Sequence, residues 1–280
     1  MKVLIHGGFF SESSQSDGIK TAKQEAMKRI ISLTHNYLCN HSARETVVYA
    51  VRLLEDDPLF NAGTGSQIQR DGVIRMSASV MDGQSKKFSG VINIEGLKNP
   101  IDVAALLQNV EDRVLGAEGA NAFATSKGIE KFSTETPQRR KEFEEKMASN
   151  GIGTVGCVAL DANGNLAAAT STGGKGFEIP GRISDSATVA GNFANDNCAV
   201  SCTGVGEDIV SIAVAAKIVT RVTDGMNIQS AFNCTFSELK GIDGFAGAIG
   251  IDKRGNMFWQ ESHPKIVFAA FDGINLTIFK

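Results

Sequence analysis

Two kinds of hydrophobic spacing occur in blocks along the chain. Apolar residues recur at helical intervals in residues 20–38, and again in residues 43–54 after a capping-box sequence that starts at Ser42. The same spacing predicts three later helices, in residues 99–107, 116–131 and 208–223. Alternating or continuous apolar runs predict strands in residues 3–5, 73–81, 87–94, 154–160, 166–172, the stretch that ends at 201, and a pair within 247–259. Because strands and helices come in blocks, the pattern argues against a doubly wound parallel sheet and favours sheets layered between helices.

The clearest local signal is a hairpin near the middle of the chain. The apolar runs 154–160 and 166–172 flank the turn sequence Asp161-Ala162-Asn163-Gly164-Asn165. An Asn-Gly pair between two apolar runs is a strong hairpin signal. The second strand returns beside the first, so Thr170 or Thr172 is expected to lie close to Thr154. The sequence therefore predicts a cluster of hydroxyl groups.

Composition restricts the class of protein without naming its chemistry. With 280 residues, of which 42% are hydrophobic and 21% charged, the chain can bury a sizeable core, and we expect one domain over residues 1–280. A net charge of −3 provides no basic surface for nucleic acid. No apolar run approaches the ~18 residues of a membrane span, and the first residues enter a strand directly, which indicates a cytoplasmic protein without a signal peptide.

Cysteine and histidine do not form a recognisable site. The five cysteines are an odd set, and the Cys198-x-x-x-Cys202 pair lacks a second pair or nearby histidines, which favours small buried side chains over a metal site. The four histidines are scattered (His6, His35, His41 and His263), which makes a serine-type triad improbable.

Candidate chemistry centres on the step from Gly153 to Thr154. Cleavage there would leave Thr154 with a hydroxyl and a free α-amine, a nucleophile and its base on one residue. The unperturbed α-amine pKa of roughly 7.7 to 8.0 leaves a useful neutral fraction at pH 7. Taken alone, Gly-x-Gly-Thr is also an ordinary way to enter a strand. The charged run 137–150 reads as an exposed, partly helical or mobile linker that would end at Gly153.

Several ordered segments resemble one known family. They are Ile5-His6-Gly7-Gly8, residues 50–55 with 58–63, Thr170-Ser171-Thr172-Gly173-Gly174, Pro180-Gly181-Arg182-Ile183-Ser184-Asp185, and residues 200–207. Together with Thr154, these segments resemble the plant-type asparaginase and isoaspartyl peptidase family of N-terminal nucleophile hydrolases. The resemblance covers most of residues 1–250 and implies an α+β fold, a four-layer αββα sandwich.

The resemblance implies a catalytic role for each matched position. Thr154 attacks first the Gly153 carbonyl and then a substrate amide, and Thr172, with Thr170 beside it, orients the Thr154 hydroxyl and amine. The Thr203 hydroxyl and the Gly204 N–H stabilise the oxyanion, although the same residues suit a strand-to-helix turn. Asn61 supports the nucleophile's surroundings, although an asparagine beside glycine is also typical of a turn.

The resemblance also implies a substrate. Arg182 and Asp185 would hold the α-carboxylate and α-amine of an aspartyl group, with Gly206 adding an N–H; as loop residues they could equally be solvated or paired with each other. The expected reaction releases aspartate from asparagine or a β-aspartyl dipeptide. The fragments 1–153 (α subunit) and 154–280 (β subunit) would stay associated, and two such units would form a dimer.

No cofactor is needed for this chemistry, but the resemblance suggests a structural sodium ion. Its ligands would be main-chain carbonyls, and oxygen-only ligation suits a hard cation. The implied carbonyls are those of Leu54, Glu55, Asp57, Phe60, Ala62 and Thr64.

Three segments depart from the family pattern and leave alternatives open. They are Phe9-Phe10 after the histidine-glycine start, Met76-Ser77-Ala78-Ser79, and residues 258–264. Leaving-group preference is therefore open, and a glycosylasparagine amidase is an alternative. An unprocessed, inactive relative that acts as a binding or scaffold protein is another.

Overall fold

A computed structural model describes residues 1–10, 17–145, 153–263 and 265–280. Residues 146–152, which include the end of the predicted linker with Gly151 and Ile152, lie outside the described residues. The helices are α1 Asp17–Leu38, α2 Ala43–Glu55, α3 Pro100–Leu107, α4 Ala117–Ser126, α5 Pro137–Glu144, α6 Gly206–Ile212, α7 Val214–Thr223 and α8 Ile228–Lys240. The strands are β1 Lys2–Phe9, β2 Met76–Asp82, β3 Lys87–Ile94, β4 Val114–Gly116, β5 Val155–Leu160, β6 Leu166–Thr172, β7 Asn192–Ala194, β8 Cys198–Gly204, β9 Ala246–Asp252, β10 Met257–Glu261, β11 Ile266–Phe271 and β12 Leu276–Ile278.

The larger sheet has eight strands in the order β12-β11-β1-β5-β6-β2-β3-β4. All its neighbours are antiparallel except β3 and β4. Strands from before and after Thr154 are interleaved here, since β1 lies between β11 and β5, and β2 pairs with β6. The centre of this sheet is therefore built from both ends of the chain.

The smaller sheet has four antiparallel strands in the order β10-β9-β8-β7. It packs face to face on the larger sheet, with β5 and β6 against β8 and β1 against β9. Helices α1, α2 and α3 cover the other face of the larger sheet, and α7 and α8 cover the smaller one. The result is four layers, helix, sheet, sheet and helix, which confirms the predicted αββα sandwich.

Two apolar cores fill the layers. The larger core contains the fully buried Leu4, Val51, Leu54 and Val158 and lies around the eight-stranded sheet. Phe232 on α8 anchors the smaller core between the four-stranded sheet and α7 and α8. Strands β5 and β6 are buried along their whole length because they have a layer on each face, which explains why neither strand alternates between apolar and charged residues.

Local signals in the sequence are confirmed where short-range hydrogen bonds carry them. Ser42 caps α2, with its side chain accepting from the Glu45 N–H while the Glu45 carboxylate accepts from the Ser42 N–H at 3.0 Å. In the predicted hairpin turn, Asp161 accepts from the N–H groups of Asn163 and Asn165, each at 2.9 Å. These short-range bonds form the cap and the turn, and the Asp161 carboxylate also accepts from the Ala43 N–H at 3.1 Å, which ties the turn to the start of α2.

Three predicted boundaries are wrong, two because of left-handed backbone conformations and one because of side-chain ion pairs. The helix predicted in 208–223 is two helices, because Ala213 takes the left-handed conformation with φ 57°. The helix predicted to reach 131 ends at Ser126, since Gly128 has φ 75° and the Ile129 N–H turns back to the Ala124 carbonyl at 3.1 Å. The strand predicted from residue 73 begins at Met76, because Arg75 is held in a loop by Asp71 at 2.9 Å and Glu95 at 2.7 Å.

Helix α8 and strands β11 and β12 were not predicted from the sequence. Helix α8 belongs to the outer layer on the smaller sheet, and β11 and β12 form one edge of the larger sheet. Among the helices of the described ranges, none combines the length and apolarity needed to cross a membrane.

We predict that Phe232→Ala lowers the free energy of unfolding by about 3–5 kcal/mol, because it removes a fully buried ring and leaves a cavity against β8 and β9. Chemical denaturation measures the change. Asn233→Ala, at the exposed next position of the same helix, is the control and should shift stability by less than about 0.5 kcal/mol. Equal effects of the two substitutions would contradict the assignment of Phe232 to this core.

Candidate active site

The predicted hydroxyl cluster forms where β5 begins and β6 ends. The register pairs Val155 with Ser171, which brings Thr154 beside Thr172. The Thr154 hydroxyl donates to the Thr172 hydroxyl at 3.3 Å, and the Gly174 N–H donates to the same Thr172 oxygen at 3.2 Å. Thr154 is only 6% exposed. The Thr154 hydroxyl is thus held in place inside the protein, with its oxygen lone pairs left available.

Asn61 connects the glycine-rich loop to the residue before Thr154. Its side-chain amide donates to the Gly174 carbonyl at 2.5 Å and accepts from the Gln67 N–H at 3.0 Å. A Cβ built on Gly153 would lie 2.6 Å from the Asn61 Cβ. Asn61 therefore packs directly against the peptide that precedes Thr154, and only glycine fits there.

A buried histidine holds the nucleophile candidate from behind. His6 Nδ1 lies 3.0 Å from the Thr154 carbonyl oxygen, and His6 Nε2 lies 2.8 Å from the Ser201 hydroxyl. Burial lowers the pKa of His6 to about 3, and the bond to Thr154 only partly opposes this shift. The ring is therefore neutral, and the carbonyl requires its single proton on Nδ1.

This tautomer fixes the direction of the next two hydrogen bonds. Nε2 must accept, so Ser201 donates to it. The Thr170 hydroxyl, 2.7 Å from the Ser201 oxygen, then donates to Ser201. All three side chains are fully buried. Thr170, which the sequence placed beside Thr154, thus acts one step further away, and the relay joins the two sheets.

Gly156 leaves the room that this relay needs. A Cβ on Gly156 would lie 2.0 Å from the Ser201 hydroxyl and 2.4 Å from His6 Nε2. Real Cβ atoms do not approach other atoms so closely, and a dense interior cannot absorb the difference.

Thr203 and Gly204 end β8 on the opposite sheet. Ser201 points at the larger sheet, and alternation along the strand points Thr203 the same way. Thr203 is fully buried, and its hydroxyl has no hydrogen-bond partner within the described residues. An unmet buried hydroxyl costs about 1–3 kcal/mol, which a ligand oxygen would recover. Gly204 has φ 147°, and a Cβ there would lie 2.4 Å from the Phe245 carbonyl oxygen, so the position requires glycine.

Arg182, Asp185 and Gly206 meet as one group. A Cβ on Gly206 would lie 2.8 Å from both Arg182 Nη2 and Asp185 Oδ1. Asp185 is 2% exposed, and its Oδ2 has no partner among the residues that the structure describes. Burial raises the pKa of Asp185 to about 7, against the opposing charge of Arg182. The group offers a cation, a carboxylate and a bare glycine backbone.

Arg182 is paired with Glu207 and not with Asp185. Its Nε and Nη2 donate to the two Glu207 oxygens at 2.7 and 2.9 Å. These bonds from Arg182 lower the pKa of Glu207 to about 2. The alternative that Arg182 and Asp185 pair with each other is therefore wrong, and Asp185 stays available for a different cation.

The loop after α2 brings main-chain oxygens together. A Cβ on Gly65 would lie 2.8 Å from the Pro58 carbonyl oxygen and 2.9 Å from that of Phe60, and a Cβ on Gly63 would lie 2.5 Å from that of Glu55. The described residues contain no cluster of three side-chain ligands placed to hold a metal. A cradle of neutral carbonyl oxygens fits a hard monovalent cation by its donor chemistry.

Sequence reasoning assigned no role to Ser201 or Glu207. Ser201 lies two positions before Thr203, so strand alternation alone could have placed both on one face. Glu207 follows Gly206 directly in a segment that carries the resemblance. Cys198 and Cys202 are buried and free, as predicted.

Comparisons with known proteins agree with one another. A protein-family model described as Asparaginase matches residues 1–151 and 133–277. An isoaspartyl peptidase/L-asparaginase of a Nostoc species is 42% identical, covering 97% of this chain and 92% of that protein. The isoaspartyl peptidase of Escherichia coli is 36% identical over 91% of this chain and 88% of its own. The human isoaspartyl peptidase/L-asparaginase is 36% identical, covering 96% of this chain and 92% of that protein.

We predict that Gly156→Ala lowers the free energy of unfolding by about 1–3 kcal/mol or more, because its methyl group overlaps Ser201 and His6. Gly119→Ala is the matched control, since a Cβ there meets nothing within 4 Å on α4. It should stabilise the helix by about 0.5–1 kcal/mol. Thermal or chemical unfolding of both variants measures these changes in stability. An unchanged stability for Gly156→Ala would contradict the close contact of Gly156 with His6 and Ser201.

A second prediction concerns pH. The folded pKa of Asp185 is raised above its unfolded value of 3.8, so its contribution to stability is full below about pH 3.8 and is lost as pH rises through about 7. Asp185→Asn should therefore gain stability relative to the parent protein between about pH 4 and about pH 8.

The control for this prediction has the opposite sign. Backbone N–H groups of Asn275 and Ile274 lower the pKa of Asp272 to about 2, so Asp272→Asn should lose relative stability above that pH. Melting temperatures of Asp185→Asn, Asp272→Asn and the parent protein, measured across the pH range, test both predictions. If the difference from the parent protein changed with pH in the same way for both variants, the account of Asp185 would be wrong.

Proposed function

This chain belongs to the asparaginase family, and we propose that it is an autoprocessing threonine amidohydrolase that releases aspartate from isoaspartyl (β-aspartyl) peptides and L-asparagine. Its relatives that carry these activities in their names match nearly the whole chain. One observation supports the proposal most: the hydrogen-bonded Thr154 hydroxyl lies at the start of β5 on one sheet, and the Thr203 hydroxyl, which has no partner in the part of the chain that the structure describes, faces that sheet from the other.

Processing comes first. The Thr154 hydroxyl attacks the Gly153 carbonyl carbon, the peptide nitrogen leaves as the Thr154 amine, and water then hydrolyses the resulting ester to free the Gly153 carboxylate. A residue with a side chain at position 153 would strike Asn61, so glycine allows the peptide to sit beside the hydroxyl. The products are residues 1–153 and 154–280.

The same hydroxyl then attacks the substrate. The new α-amine takes the hydroxyl proton while oxygen bonds to the side-chain carbonyl carbon of the aspartyl group, and the leaving amine departs with that proton. Water enters, breaks the ester and releases aspartate. The Thr203 hydroxyl and the Gly204 N–H donate to the oxyanion at each step, a donor of this kind being worth about a hundred to a thousand-fold in rate.

Substrate selection rests on Arg182, Asp185 and Gly206. Glu207 occupies two of the five guanidinium N–H groups of Arg182, which orients the side chain and leaves three for an α-carboxylate. Asp185 is buried, and its Oδ2 has no partner among the residues in the described ranges, so it can accept from an α-ammonium, whose charge also favours the ionised carboxylate. An amino acid with both groups free satisfies all three residues.

A structural sodium ion suits the loop after α2. The carbonyls of Leu54, Glu55, Asp57, Phe60, Ala62 and Thr64 would hold it, and its charge would stiffen the segment that leads into Asn61. This role supports the position of Asn61 and adds no chemical step. A cytoplasmic location and a pair of α/β units stay predictions of the sequence analysis.

We predict that the purified parent protein runs as two fragments, of 153 and 127 residues (280 − 153), and that Thr154→Ala stays a single chain. Loss of the hydroxyl removes the nucleophile. Thr154→Ser keeps a hydroxyl and should still cleave. A denaturing gel with intact mass measures all three, and equal cleavage of the parent and Thr154→Ala would remove Thr154 from its role.

Turnover assays then rank the substrates. The processed protein should hydrolyse asparagine and β-aspartyl-leucine, each to aspartate. Preference for a glycosylasparagine would reverse that order, and aspartate binding without turnover would favour an inactive binding protein.

A further inference from the structure

Three neighbouring aromatic rings lie at the end of the sandwich that holds Thr154 and Thr203, the Phe9 and Phe245 rings tilted by 59° and the Phe245 and His263 rings stacked. Phe9 and Phe245 have ring centroids 4.6 Å apart, and Phe245 and His263 have theirs 4.7 Å apart. Phe9 and Phe245 are half-buried, and His263 is exposed. We call these three side chains the aromatic run. Phe9 is one of the departures from the family pattern, and His263 lies in another.

Phe9 packs against Gly247, the cross-strand partner of the oxyanion candidate Thr203. Thr203 pairs with Gly247 across β8 and β9, so their side-chain positions lie on one face of the smaller sheet. A Cβ on Gly247 would lie 2.9 Å from the Phe9 ring. The ring therefore covers the position beside the Thr203 hydroxyl.

The Phe245 backbone adjoins Gly204. The Phe245 carbonyl oxygen would lie 2.4 Å from a Cβ on Gly204, and it accepts from the Val205 N–H at 2.9 Å. The residues that carry the aromatic run are therefore next to the two residues that would hold the scissile carbonyl, Phe9 through Gly247 and Phe245 through its main chain.

The aspartyl-binding group lies on the opposite side of these residues. A Cβ on Gly191, next to β7, would lie 2.5 Å from Asp185 Oδ2, and the Ser79 hydroxyl of β2 donates to the Ser186 carbonyl at 2.5 Å. Asp185 is therefore on the β6, β2 and β7 side of the sandwich. Phe9 belongs to β1, and Phe245 directly precedes β9, on the other side of β5 and β8.

A substrate that spans the site must follow this order. Its α-carboxylate and α-amine bind Arg182 and Asp185, its scissile carbonyl lies between Thr154 and Thr203, and its leaving group continues toward β1 and β9. We propose that the aromatic run is the binding wall for the leaving residue of a β-aspartyl peptide and selects an aromatic or large aliphatic residue. This inference rests on the proposed function and specifies its substrate.

The aromatic run can bind such a residue by burying its apolar surface. An apolar side chain that packs on Phe9 and Phe245 is removed from water, and an aromatic side chain can also stack on these rings. His263 and the adjacent Gly244 also border a cavity of about 550 Å³, which gives room beyond the third ring. Asparagine releases only ammonia, which reaches none of these rings.

The test compares kcat/KM for β-aspartyl-phenylalanine, β-aspartyl-leucine, β-aspartyl-glycine and asparagine. We expect the parent protein to prefer the first two peptides to β-aspartyl-glycine by about tenfold or more, the range that apolar side-chain contacts give. Phe9→Ala should reduce the ratio of β-aspartyl-phenylalanine to asparagine about tenfold. Phe9→Leu, which keeps apolar volume, should retain the preference for leucine.

His263→Ala removes an exposed ring and does not touch the core, so it covers the case in which Phe9→Ala fails to fold. It should lower the phenylalanine-to-glycine ratio by a few fold. Phe132→Ala, at an exposed phenylalanine outside the aromatic run, is the control and should leave every ratio unchanged.

The possible results distinguish a failure of the binding wall from a failure of the proposed function. Turnover of all four substrates with equal efficiency, or an equal loss for all four in Phe9→Ala, overturns the binding wall and makes the rings a seal at the end of the sandwich. A processed parent protein that turns over none of the four overturns the proposed function, and the wall with it.

Discussion

The close approach of the two sheets around a neutral histidine is the constraint on which the site depends. His6 on β1 binds the carbonyl of Thr154 on one side and the hydroxyl of Ser201, from the opposite sheet, on the other. Gly156 has no side chain to block the contact between His6 and Ser201, and full burial keeps the His6 ring uncharged. The relative position of Thr154 on β5 and Thr203 on β8 follows from this contact, because both residues lie within two positions of groups that it fixes.

Burial also decides which polar groups are ready to act. Most polar side chains between the sheets satisfy one another, as in the relay from Thr170 to His6. The Thr203 hydroxyl and one Asp185 oxygen lack a partner among the described residues. Leaving a buried polar atom without a partner is unfavourable, and these two atoms, unlike Thr46 Oγ1 and Gln108 Oε1, which also lack a partner within the described ranges, lie among the candidate site residues, where a ligand could pair with them. These two atoms lower the free energy of unfolding slightly, and a bound ligand that pairs with them would restore it.

Much of the fold could be predicted because the signals are local. The Asn-Gly turn, the capping box and the long apolar runs of β5 and β6 each depend on neighbours in sequence. The hairpin alone placed Thr170 or Thr172 beside Thr154, and the family resemblance favoured Thr172. Helix breaks at Ala213 and Gly128 were not foreseen, since a left-handed residue interrupts hydrogen bonding without changing the hydrophobic pattern. The pairing of Arg182 with Glu207, across 25 positions, and the contact of Phe9 with Phe245 depend on tertiary packing that no periodicity contains.

The interleaved order of the larger sheet has a consequence for the cleaved protein. With β1 between β11 and β5, and β2 beside β6, the two chains left by scission before Thr154 would share a continuous ladder of hydrogen bonds. Neither fragment could dissociate without breaking the hydrogen bonds between the central strands of the sheet. The uncut chain folds in an intramolecular reaction, whereas two separate fragments, once denatured, would have to find each other by diffusion. Refolding after the proposed cleavage would therefore depend on protein concentration, and cleavage would make unfolding much harder to reverse.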